Sequence, residues 1–300
     1  MQKSFWKTVG LFTLLLLLVV ACRHSQGPVI SSATEAIAYP QEPIIVNLEK
    51  YAGRFRKTQV SIEGETHPFL FDTGAGFTVI GSRVAELIGC TPYGQITGFR
   101  MHGERVDIPK CKPSDTKIGE FATESNLGFF DIMALLPEGF PPIEGVLSLH
   151  TFKDQAVTLD LANNQLIVES AQSLKTRTEN MKEMHIAIDR GIDNRQLDVF
   201  VEVKTRQGPL WLLLDTGNLA GFYMAPHALK QLGFKEEQLE ELFKDAPPEI
   251  EFEIVGLGVV RTPVLRENLI HDGVINAEFV EKLVLTMDFK TNRMWGVLKK

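Results

Sequence analysis

An apolar stretch from Val9 to Val20, preceded by Lys3 and Lys7, opens the chain, and the segment from Arg23 to Pro43 that follows has no hydrophobic period. About a dozen apolar residues are too few for a bilayer, which needs roughly twenty, so the pattern reads as a secretory signal followed by a tether. Beyond Pro43 the pattern changes to period-two alternation. Val60 and Ile62 alternate with polar neighbours before Glu63-Gly64, and Phe69-Leu70-Phe71 then runs into Asp72. Leu197, Val199, Val201 and Val203 alternate in the same way before a turn between Lys204 and Gly208, and Leu212-Leu213-Leu214 runs into Asp215. Each pattern predicts a β-hairpin whose second strand delivers an aspartate.

The two halves keep step after the aspartates. Ser82 to Gly89 and Pro226 to Gly233 both predict a short helix, with Ser82 as the first N-cap, Pro226 in the opening turn of the second, and a glycine closing each. Further on, Gly145-Val146-Leu147 through Val157-Thr158-Leu159-Asp160 matches Gly273-Val274-Ile275 through Leu285-Thr286-Met287-Asp288, with Gly, Val, Thr and Asp at identical offsets. A repeat of this kind marks two copies of one structural unit. Asp160 and Asp288, at the ends of the last matched strands, read as turn residues. The middles of the halves diverge. Ile96 to Pro109, carrying Gly98 and Gly103, predicts an exposed hairpin, whereas Lys235 to Lys244 places Leu239, Leu242 and Phe243 at helical spacing. Only the first half is expected to supply a flap. The chain divides into a signal at 1–21, a tether at 22–43, an N-terminal lobe at 44–175 and a C-terminal lobe at 176–300.

Composition adds exclusions. The chain is 44% hydrophobic and 23% charged, which is ordinary for a folded domain. Removing Lys3 and Lys7 with the signal takes the formal net charge from −7 to −9. An acidic chain without a Lys/Arg cluster is a poor ligand for nucleic acid and has no polybasic patch for an anionic membrane. The seven histidines are scattered without metal-ligand spacing, so neither a metal nor an organic cofactor is expected. Cys90 and Cys111 either pair, closing a loop whose entropy is worth roughly 3 kcal/mol, or are two separate buried thiols.

The candidate chemistry lies in the duplicated Asp72-Thr73-Gly74 and Asp215-Thr216-Gly217. Two carboxylates within hydrogen-bond distance cannot both ionise, so they share a proton and supply a base and an acid together. One copy of the tripeptide cannot do this, but two related copies facing each other can. Glycine after Asp-Thr permits a tight backbone beside the carboxylate, and threonine offers a hydroxyl to fix the turn. No serine or cysteine stands in a nucleophile motif.

The segments Phe71-Asp72-Thr73-Gly74-Ala75 and Leu214-Asp215-Thr216-Gly217-Asn218, with Ile143-Glu144-Gly145-Val146-Leu147 and Asp272-Gly273-Val274-Ile275, resemble the motifs of the pepsin and retropepsin superfamily. The lobes are nearest in size to the retropepsin-like domains of bacterial proteins. The resemblance implies an all-β, two-lobed aspartic protease fold with short helices, each lobe retropepsin-like, and Asp72 and Asp215 as the dyad. It further implies that the Thr73 and Thr216 hydroxyls lock the two active-site loops together, with Gly74 and Gly217 in those loops. Gly145 and Gly273 are implied to belong to the crossing loops beneath the aspartates, and a single chain carrying both halves is implied to act as a monomer on peptide or protein. The Val19-Val20-Ala21-Cys22 ending resembles a bacterial lipobox, implying lipid on Cys22 and a place in the cell envelope. Arg23 after that cysteine implies the periplasmic side of the outer membrane if the cell is Gram-negative.

This chain departs from the family pattern at two positions. Ala75 stands where pepsins carry a hydroxyl, so Asp72 is expected to be harder to ionise than Asp215, whose carboxylate the Asn218 side chain could reach. An activity optimum nearer neutral than that of pepsin follows. Tyr93 is the nearest candidate for a flap tyrosine and reads better as a surface or packing residue. The leading reading is an aspartic endopeptidase; the alternative is a catalytically silent envelope lipoprotein that holds a peptide or a partner in the same cleft.

Overall fold

The computed structural model describes residues 38–53 and 55–299; Cys22 and the signal before it lie outside the described residues. The first predicted hairpin forms from Phe55–Ile62 and Glu65–Asp72, paired antiparallel from Arg56 opposite Phe71 to Ile62 opposite Glu65. The second forms from Asp198–Thr205 and Gly208–Leu214. In both, the alternating residues are those buried: Val60 and Ile62 in one, Val199, Val201 and Val203 in the other.

Among the described residues the strands make three sheets. The eight-stranded sheet of the first lobe runs from Glu49–Tyr51 through the first hairpin, then Gly145–Ser148, Val79–Ile80, Phe121–Phe129, Arg105–Ile118 and Gln95–Phe99. The seven-stranded sheet of the second lobe repeats the central part of this order. There the second hairpin is followed by Gly273–Ile275, Phe222–Met224, Gly258–Arg266 and Glu249–Ile254. In each lobe the aspartate-bearing strand lies parallel to the strand opened by a repeated glycine, Phe69 opposite Gly145 and Leu212 opposite Gly273. A parallel neighbour cannot be reached by a tight turn, so the chain crosses over and returns.

A six-stranded sheet takes strands from both halves and joins them. Its central pair is Ala156–Asp160 against Leu283–Asp288, with Thr158 opposite Thr286 and their hydroxyls 2.7 Å apart. The repeated threonines therefore meet where the two copies meet. The main core is one cluster that includes Phe71, Leu147 and Phe152 of the first half and Leu285, Met287 and Phe289 of the second. Arg56, almost wholly buried, adds a polar link between the halves, reaching the Leu161 carbonyl at 3.0 Å and Glu281 at 2.6 Å.

The predicted helices form at Ser82–Leu87 and Pro226–Gln231, and both are closed by a glycine at positive φ, 58° at Gly89 and 107° at Gly233. Ser82 is not the N-cap. Gly81 takes that position because its N–H is already committed to the Glu144 carbonyl at 2.7 Å, which fixes the chain one residue earlier. Residues 235–244 form the expected helix, Glu236–Leu242.

Cys90 and Cys111 form a disulfide, with Cα atoms 5.3 Å apart, which ties the end of the first helix to the strand that carries the flap. Reduction, or Cys90→Ser, is expected to destabilise the protein by about 3 kcal/mol, as closure of a loop of this length predicts. Urea unfolding with and without reductant measures it.

Candidate active site

Asp72 ends its strand and Asp215 follows the corresponding one, so the pseudo-symmetric hairpins bring the two tripeptides face to face. The loops are interlocked by reciprocal bonds: the Thr73 N–H donates to Thr216 Oγ1 at 3.0 Å, and the Thr216 N–H donates to Thr73 Oγ1 at 3.0 Å. Thr73 Oγ1 also donates to the Leu214 carbonyl at 2.7 Å. Both threonines are buried. Gly74 and Gly217 are required by proximity: a Cβ on Gly74 would fall on the Asp215 carboxyl group, and one on Gly217 on that of Asp72.

The two carboxyl groups are hydrogen-bonded to each other inside this loop pair. Asp72 Oδ1 accepts from the Gly74 N–H at 2.9 Å and the Gly217 N–H at 2.9 Å. Asp215 Oδ1 accepts from the Gly217 N–H at 2.9 Å and the Asn218 N–H at 3.0 Å. Burial raises both pKa values. Asp215 is held well above the ordinary carboxylate range, first by burial and then by the charge of Asp72. For Asp72 the burial is offset by the backbone N–H groups of Gly74, Gly217 and Ala75 and by the bond from Asp215.

Both carboxyl groups are thus raised, Asp215 included, although the sequence predicts that the Asn218 side chain would favour its ionised form. Asn218 explains the difference. Its side chain is consumed by its own turn, donating to the Gly221 carbonyl at 2.8 Å and accepting from the Ala220 N–H at 3.0 Å, so only its backbone reaches Asp215. Ala75, lacking a hydroxyl, still contributes its amide to Asp72.

Gly145 and Gly273 lie behind the aspartates, where a Cβ would strike Phe69 and the Val79 carbonyl in one lobe and the Tyr223 carbonyl and Leu212 in the other. The acids just before them are braced alike by the two helices. Arg83 donates to Glu144 at 2.8 Å, and His227 Nε2 lies 2.8 Å from Asp272.

The flap is the hairpin of Gln95–Phe99 and Arg105–Ile118, paired from Gln95 opposite Pro109 to Phe99 opposite Arg105. Its tip crosses to the second lobe. The Met101 carbonyl accepts from the Ile270 N–H at 3.0 Å, and the Met101 side chain packs on a small apolar cluster of Leu213, Tyr223 and Val274. At its base, Ile96 and Ile108 pack on the matching cluster of the first lobe, which includes Leu70, Phe77 and Val79. Tyr93 is 44% exposed beside Lys110 at the flap base, which is a surface position.

The fold and the paired Asp-Thr-Gly loops define a two-lobed β protein of the aspartyl protease type. Residues 58–149 match the aspartyl protease family. That match spans the first lobe from its active-site hairpin to the strand opened by Gly145, and it makes this part of the chain similar to aspartyl proteases. No curated protein matches its sequence. Among solved structures it resembles basic 7S globulin from soybean, at 8% identity and a TM-score of 0.53 over 86% of this chain and 95% of that one. It resembles conglutin gamma, a basic 7S globulin from lupine seeds, with the same identity, TM-score and coverage. At that identity the likeness is one of fold.

One residue at the site escaped the sequence reading. Asp198 opens the second hairpin and faces the first lobe's active-site loop: a Cβ on Gly76 would stand 3.0 Å from its Oδ1. The available signal was an acid at the head of an apolar alternation, at the position that Phe55 holds in the first half when the aspartates are superposed.

Proposed function

We propose that the protein is an aspartic endopeptidase of the bacterial cell envelope, tethered through lipid on Cys22 and acting on peptides or proteins as a monomer. The observation that carries the reading is the buried, mutually hydrogen-bonded pair Asp72 and Asp215 beneath a flap. Ionised Asp72 takes a proton from water as the water oxygen attacks the peptide carbonyl carbon, and protonated Asp215 gives its proton to the carbonyl oxygen. On collapse the C–N bond breaks, the proton taken from water passes to the leaving nitrogen, and the hydroxyl proton returns to the dyad. The apolar clusters at the flap base and tip suit apolar substrate side chains on either side of the bond.

A specific observation favours the second reading, a silent peptide- or partner-binding module. The flap tip is fastened to the opposite lobe by the Met101 and Ile270 backbones, and neither similar solved structure is named as a peptidase. The test is incubation of the soluble form starting at Arg23 with a diverse peptide mixture across about pH 3 to 8, read by mass spectrometry. Cleavage at defined bonds supports the peptidase; a folded protein that binds peptides and cuts none supports the module.

The pH profile of kcat/KM is expected to be bell-shaped. Activity falls toward acid as Asp72 takes up a proton, at a pH above the ordinary aspartate value of about 3.9 because burial raises it. It falls toward alkali as Asp215 loses the proton it donates. A profile peaking below about pH 3 would contradict this assignment.

A further inference from the structure

We propose that Asp198 forms an acidic subsite beside the dyad that selects peptides carrying lysine or arginine close to the scissile bond. The inference rests on the reading that this cleft holds a peptide. The segment ending at Asp198 runs from flap to active-site loop. Gln196 stands against the flap, with its Nε2 3.6 Å from where a Cβ on Gly98 would lie, and the Leu197 N–H donates to the Gly76 carbonyl at 2.9 Å. Asp198 follows immediately, with carboxylate oxygens 3.0 and 3.2 Å from the Cβ position that Gly76 leaves empty.

The Asp198 carboxylate has no hydrogen bond or ion pair to any described residue, and its side chain is only partly buried. The charged groups around it supply no cation. Asp189 is its cross-strand partner, and Asp72 faces it from the first lobe. On the intervening loop, Arg190 is engaged with the Phe289 carbonyl and Asn292, and Arg195 lies 3.9 Å from Asp193. Burial, then the charges of Asp189 and Asp72, push the Asp198 carboxyl up to about 7. A half-buried carboxylate facing like charges without a counter-ion is costly. A lysine or arginine side chain of a bound peptide supplies the missing partner through a charge-assisted hydrogen bond, whereas a peptide acid there meets repulsion.

The test uses sets of peptides that differ at one position, scanned from three residues before to three after the bond, carrying lysine, norleucine or glutamate. These are assayed with the wild type, Asp198→Asn and Asp198→Lys, with melting curves establishing that each variant is folded. At one or more positions the wild type is expected to prefer lysine to norleucine by about tenfold or more in kcat/KM. Asp198→Asn reduces that ratio to about one, and Asp198→Lys turns the preference toward glutamate. Should Asp198→Lys not fold, the ratio for Asp198→Asn decides alone. A wild type indifferent to lysine, or an Asp198→Asn variant with the preference intact, overturns the proposal. If no peptide is cut, the peptidase reading fails separately, and the same ratio is then read from Kd by fluorescence anisotropy. Neither cleavage nor binding of any peptide overturns both.

Discussion

Asp72→Asn and Asp215→Asn are each expected to leave a folded protein whose peptide hydrolysis falls by about 10³-fold or more, because general acid and general base are lost together when either carboxyl is removed. The same substitution at Asp215 is expected to stabilise the fold. Burial holds this group well above its ordinary pKa, so the folded protein keeps a proton that the unfolded chain releases once the pH passes about 4. A raised carboxyl contributes stability that is complete below the unfolded pKa and is lost as pH rises through the folded one. Asparagine cannot ionise, so Asp215→Asn should melt higher than the wild type at pH 7, by about 2–4 °C for each kcal/mol relieved, and the gap should close near pH 4. Calorimetry across that range, beside kcat/KM on any cleaved peptide, measures both effects. A variant equally active, or one less stable at neutral pH, would remove Asp215 from the role given to it.

Thr73→Val carries the second large effect, this time on stability and activity together. Valine keeps the shape but removes the oxygen that accepts from the Thr216 N–H and donates to the Leu214 carbonyl. Two buried backbone groups are stranded, at about 1–3 kcal/mol each, for a loss of about 2–6 kcal/mol. The carboxyl groups also lose the register that places Gly217 N–H between them. Thr216→Val strands the Thr73 N–H alone and should cost less. Thr73→Ser restores the hydroxyl and should recover most of both properties. Urea unfolding orders the three variants, and a Thr73→Val protein within about 0.5 kcal/mol of wild type would show that the interlock contributes little.

The parts of the site that were legible are those encoded locally. Alternation at Val60 and Ile62 and at Leu197 to Val203 specifies strands, because side chains on a strand point to opposite faces and only one face is buried. The glycines at 89 and 233 mark helix ends through positive φ, which other residues adopt at a cost. The flap was readable from the mixed polar and β-branched run from Ile96 to Pro109. In contrast, Asn218 misled, since nothing in the sequence says whether an amide will face a carboxylate or close its own turn.

The sequence by itself determined that two copies of one hairpin unit would each end in Asp-Thr-Gly, that the copies would be β-rich, and that only the first would carry a flap. Those features follow from hydrophobic period and backbone preference over a few residues. Only the tertiary structure decided that Thr158 and Thr286 meet across the joining sheet, that Cys90 bonds Cys111, that burial holds Asp215 above the ordinary carboxylate range, and that Asp198 stands at the active-site loop of the other lobe. Each of these depends on distances between atoms far apart in the chain. Hydrogen bonds, disulfides and charge interactions act over a few ångströms, and the folded arrangement of both lobes sets those separations.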